Sequence, residues 1–214
     1  MKDKARFILL AVAAVGVLYL TIWPHELGHA AVAYLYHCKA NWWQTDLSWY
    51  LWSSWGGKVD YDCLRARGRP ALMMMGLGGR AVNLVLLVTA PWVGCWWRNG
   101  ESSGPDRWPW LFLVTFFWAL ANYAEAFSYL VLNTIWLKSD MSDVVLESRV
   151  SRWPWLAAGV LLAVLAARWL RQPARRAATI LAGPAGSSCM WMRLFVLYVV
   201  VVGVVMAAAR ISLT

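Results

Sequence analysis

Charge is scarce in this chain: 14% of its 214 residues carry it, and histidine occurs three times. The four cysteines, Cys38, Cys63, Cys95 and Cys189, form no CxxC pair, which removes the common cysteine metal ribbons and dithiol redox motifs. Without internal repeats the sequence lacks the inverted-repeat plan of a secondary transporter. No polar stretch is long enough to make a soluble domain. Basic residues outnumber acidic ones 20 to 11, but they are scattered among loops rather than gathered on one polar face. That distribution argues against a nucleic acid partner and fits loops that touch anionic lipid headgroups.

Apolar sequence is abundant. Hydrophobic residues make up 61% of the chain and the mean hydropathy is +0.50. Several uncharged runs approach the ~20 helical residues that cross a bilayer. The sequence therefore predicts an integral, multi-pass membrane protein, an all-α fold of about five transmembrane helices. The first apolar run, 7–23, follows a basic start and has no small-residue cleavage site, so it reads as a retained helix over 7–36, tilted or kinked near Pro24. Further spans are expected at 71–97, 108–137, 154–170 and 190–210, the last two separated by an Arg-rich, Gly- and Pro-containing loop. Between the first two spans, alternation and aromatics around Gly56-Gly57 predict a small interfacial β-hairpin over 46–62. Seventeen tryptophans sit largely where helices would meet headgroups. Basic residues divide almost evenly between the two sides, so the positive-inside bias sets no orientation. Cys38 and Cys63 flank one loop and either form a disulfide on an oxidising face or serve as small buried hydrophobes.

One stretch sits badly with this apolar background. Ile22-Trp23-Pro24-His25-Glu26-Leu27-Gly28-His29 carries three costly polar side chains within a membrane run. Helical spacing puts His25 and His29 on one face, where both can offer a ring nitrogen to a single Zn²⁺. Glu26 stands beside them as a general base for the attacking water. His37, at the helix end, reads as an interfacial histidine. Catalytic zinc takes three protein ligands and keeps one position open, so a carboxylate is wanted; Glu125, Asp140 and Asp143 are the acids near the membrane. Asn122, Glu125, Tyr129 and Asn133 share one helix face, either lining a cavity or forming an interhelical hydrogen-bond seam.

HELGHA within a transmembrane helix resembles the site-2 protease family of intramembrane zinc metalloproteases. GGKV after the first span is similar to that family's Gly-Gly hairpin. GGRAVN, residues 78–83, is similar to its Gly-Pro-x-x-Asn segment, and LNTIWLKSDM, residues 132–141, to its Asn-x-x-Pro stretch leading into Asp-Gly. The resemblance covers roughly residues 7–145, which would form the protease core, with residues 146–214 adding two C-terminal helices. It implies Asp140 as third zinc ligand, Asp143 being the alternative, with Asn83 and Asn133 at the substrate. It further implies hydrolysis of peptide bonds in or near transmembrane segments of membrane protein substrates, which the hairpin would hold by strand pairing. The chain departs from the pattern at Arg80 and Trp136, where the family has proline, and at Met141, where it has glycine. Those departures leave a second reading, a non-proteolytic scaffold subunit in a larger membrane complex.

Overall fold

A computed structural model describes residues 2–45, 59–94, 96, 109–137 and 140–182. The helices are α1 (Lys2–Leu35), α2 (Tyr61–Arg67), α3 (Arg69–Val93) and α4 (Pro109–Phe127), then α5 (Thr134–Trp136), α6 (Asp140–Ser148) and α7 (Arg152–Ala182). Ser128–Asn133, between α4 and α5, is a π-helical turn. Three helices among the described residues are long and apolar enough to cross a membrane: α3, the Pro109–Trp136 run and α7. The expectation of a helical membrane protein agrees with this; the fifth span expected at 190–210 lies outside the described residues.

Two expectations need correction. The hairpin at 46–62 falls mostly at 46–58, outside the described residues, and its end is no strand. The Asp60 carboxylate accepts from the Cys63 N–H at 2.9 Å and caps α2, which begins at Tyr61. A side chain that satisfies an orphan amide three residues on nucleates a helix and competes with ladder pairing. Among the described residues no strand occurs. The Arg-rich segment expected as a loop is the continuation of α7, helical through Pro173 to Ala182. Arg168-Trp169-Leu170-Arg171 and Ala174 to Ala178 are good helix formers, and they carry the helix past the apolar run.

Pro24 lies inside α1 without ending it. Lacking an N–H, it leaves the Leu20 carbonyl without its intrahelical donor. The indole N–H of Trp118 in α4 donates to that carbonyl at 3.1 Å. The helix defect is thereby converted into a tie between α1 and α4, one turn before the histidines.

At the far end of α1 the loop is fastened twice. Cys38 and Cys63 are disulfide-bonded with Cα atoms 5.5 Å apart, and the Asp60 N–H donates to the Cys38 carbonyl. Below them Val32, Ala33, Leu64, Ala71 and Met75 form a small buried cluster joining α1, α2 and α3. Gly68, at φ 93, turns the chain from α2 into α3 with Pro70 in the first turn. The larger core gathers Leu87, Phe112, Phe116, Met141, Val144 and Leu170 from α3, α4, α6 and α7. α7 comes close enough to the π-helical turn that a Cβ at Gly159 would stand 2.9 Å from the Leu130 carbonyl oxygen.

Candidate metal site

The site begins at a crossing of two glycine surfaces. A Cβ on Gly28 would lie 2.5 Å from the Gly78 carbonyl oxygen, and one on Gly78 would lie 2.7 Å from that of Gly28. α1 and α3 therefore touch backbone to backbone, the contact small residues permit between membrane helices. Residues three and four apart share a face, so this crossing turns His25 and His29 onto α3 as well.

His25 and His29 are 3% and 5% exposed, and their Nε2 atoms face each other at 3.1 Å. Two nitrogens on one tetrahedral zinc, each at ~2.05 Å, stand about 3.3 Å apart. The observed 3.1 Å is close to that separation and is equally the length of a hydrogen bond between the two rings. Each outer nitrogen is held by α3. His29 Nδ1 lies 2.6 Å from the Met75 carbonyl, which can only accept, so Nδ1 carries the proton and Nε2 the lone pair. His25 Nδ1 lies 3.1 Å from Asn83 Nδ2, while Asn83 Oδ1 is buried with no hydrogen-bond partner.

That orphaned oxygen tests the fit to a metal. With the Asn83 amide as placed, Nδ2–H donates to His25 Nδ1, His25 Nε2–H donates to His29 Nε2, and the chain ends on Met75. A 180° rotation of the amide gives Oδ1 a donor, the Nδ1–H of His25, and frees the second Nε2 lone pair. This is the usual outer-shell arrangement of a metal-binding histidine. Gly79 leaves room beside the pair: a Cβ there would stand 2.6 Å from both Nε2 atoms. The donors fit Zn²⁺.

Glu26 is buried at 8% exposure, adjacent in sequence to His25. Asp140 opens α6, and its side chain lies outside the described residues; Asp143 is half-buried one turn later. Helix α6 packs along α3 and is pinned by Arg69 to Glu147 at 3.8 Å. The start of α3 therefore meets the end of α6. Among the described residues no three His, Cys, Asp or Glu side chains gather into one cluster.

Glu125 is half-buried on α4, and Asn133 is half-buried at the end of the π-helical turn. Asn122, fully buried, donates within α4 to the Trp118 carbonyl at 2.8 Å, and its Oδ1 has no hydrogen-bond partner among the described residues. His37 is exposed, at φ 58 just past α1. The Met75 carbonyl carries no side-chain signal in the sequence, and Asn83, expected at the substrate, lies against His25. Arg80 is 1% exposed and donates through Nη1 to the Gly76 carbonyl. Unlike proline it keeps its own N–H, and α3 runs unbroken past it. Compared with family models, curated proteins and solved structures, the chain matches none.

Proposed function

We propose that the chain is a zinc metalloprotease that hydrolyses peptide bonds of membrane protein substrates within or beside the bilayer. His25 and His29 are two ligands and Asp140 the third, with Asp143 as the alternative. The observation that carries this reading is the convergence of two buried Nε2 atoms at 3.1 Å, with a buried glutamate next to His25 in sequence. Zinc held there would supply Lewis-acid activation of the scissile carbonyl and of the attacking water. Glu26 takes the proton from that water as it adds to the carbonyl carbon. It then gives the proton to the amide nitrogen as the C–N bond breaks, releasing a carboxylic acid and an amine. Asn83 fixes the His25 tautomer, and Asn133 holds the locally unwound substrate backbone. The hydrophobic walls of α1 and α3 exclude bulk water from the pair.

The closed hydrogen-bond chain Asn83–His25–His29–Met75 favours one second reading. It satisfies every ring nitrogen of the pair without a metal, as a non-proteolytic membrane scaffold would need. Glu26→Gln separates the two. In the protease it keeps zinc and lowers cleavage of a co-expressed membrane substrate by about a hundredfold or more, the contribution of a general base. Cleavage at the wild-type rate in that variant would overturn the proposed mechanism.

A further inference from the structure

A groove of about 520 Å³ runs between α4 and α7. Phe116, Leu120 and Tyr123 form one wall and Val164 and Ala167 the other. Arg168, Arg171 and Arg175 line the same groove. Their spacing, i, i+3 and i+7, sets all three on one helical stripe that continues Val164 toward the end of α7. The stripe is about 10 Å long from first to last arginine.

Among the described residues these arginines have no ion-pair partner. Helix α7 contains no acidic residue, and after Glu147 the sequence has eight arginines and no aspartate or glutamate at all. No ion pair joins Arg168, Arg171 or Arg175 to another described residue. Arg176, by contrast, is occupied: it donates to the Trp96 carbonyl at 3.2 Å and stacks over the Phe112 ring. The following segment, 183–214, is apolar in sequence, and its charged residues are Arg193 and Arg210.

We infer that this groove binds an anionic phospholipid of the surrounding leaflet, its phosphate on Arg168, Arg171 and Arg175 and an acyl chain along Phe116, Leu120 and Val164. The chemistry matches at both ends. Guanidinium forks take phosphate oxygens in bidentate pairs, and the apolar floor opens onto the lipid-facing side of α7, where Leu161, Val164 and Leu165 are more than half exposed. Arginine stems lie along apolar surface while their heads reach the headgroup layer. A bound lipid would brace α4 against α7. The site involves no residue of the histidine pair and stands or falls separately from the protease reading.

Native mass spectrometry of the full chain with phosphatidylglycerol and phosphatidylcholine tests it. The wild type is expected to prefer phosphatidylglycerol by about tenfold to a hundredfold, given three arginines near one phosphate. The triple variant R168Q/R171Q/R175Q is expected to lose that preference, and R168K/R171K/R175K to keep most of it, which separates lost charge from lost fold. Leu120→Trp, which fills the groove, is expected to weaken phosphatidylglycerol binding with the arginines intact. Equal binding of the two lipids by the wild type would overturn the proposal. So would an unchanged preference in the glutamine variant, or inorganic phosphate displacing the lipid at equal concentration, which would assign the stripe to a free anion.

Discussion

The indole of Trp118 donates to the carbonyl of Leu20, the acceptor that Pro24 leaves unfilled four residues later. A proline inside a membrane helix is tolerated when a neighbouring helix satisfies the freed carbonyl. Here that neighbour is α4, and the repair lies one turn from His25. Trp118→Phe keeps the ring and removes the donor, and is expected to cost about 1 kcal/mol. Pro24→Ala restores the intrahelical donor, so the same Trp118→Phe change on a Pro24→Ala background should cost less. Thermal unfolding in detergent of the four chains gives the coupling; additive effects would refute the tie.

Asn83 governs His25. Asn83→Leu removes the amide whose Oδ1, rotated onto His25, would accept from Nδ1–H in the zinc-bound form, and is expected to weaken zinc affinity about tenfold to a hundredfold with little change in thermal stability. Asn83→Asp supplies a stronger acceptor and is expected to retain or tighten binding. Chelator competition measures both, and an unaltered affinity in the leucine variant would show that Asn83 does not orient the ligand.

The glycines at the crossing divide between packing and site. Gly28→Ala drives a methyl to 2.5 Å from the Gly78 carbonyl oxygen, so the helices must part, at an expected cost of about 2–3 kcal/mol. Gly79→Ala puts its methyl 2.6 Å from both Nε2 atoms. It should displace the metal while leaving the fold nearly intact, because α3 gains helix propensity there. Zinc content and melting temperature should therefore separate: the first change lowers stability, the second removes zinc. Full zinc in Gly79→Ala would contradict this geometry.

The Cys38–Cys63 bond closes a sequence separation of 25 residues and ties the end of α1 to α2. Its removal by Cys38→Ser with Cys63→Ser is expected to destabilise by about 3 kcal/mol. In the wild type both thiols should resist alkylation until a reductant is added. Because disulfides persist in oxidising compartments, that result also puts this loop on the non-cytosolic face.

The helical character of the chain and three helices apolar enough to cross a membrane were legible in the sequence, because long hydrophobic runs report such helices directly. The HELGH spacing announced two histidines on one face, and the small residues Gly76, Gly78 and Gly79 announced a close crossing. What escaped was carried by the backbone or by tertiary context. The Met75 carbonyl and the Leu20 carbonyl have no side-chain signature. Asn83 lies 58 residues from the ring it touches. The arginines from Arg171 onward read as a loop by charge, whereas helix propensity and the snorkelling of long side chains keep them helical. Val59 to Asp62 alternates like a strand, yet the Asp60 cap decides for helix.

Zinc content of the purified full-length chain tests the central claim most directly. The account predicts about one zinc per wild-type chain, one also in Glu26→Gln, and none in His25→Ala or His29→Ala. A wild-type chain that stays metal-free in zinc-replete buffer, or a His29→Ala chain that keeps its full complement, would contradict it.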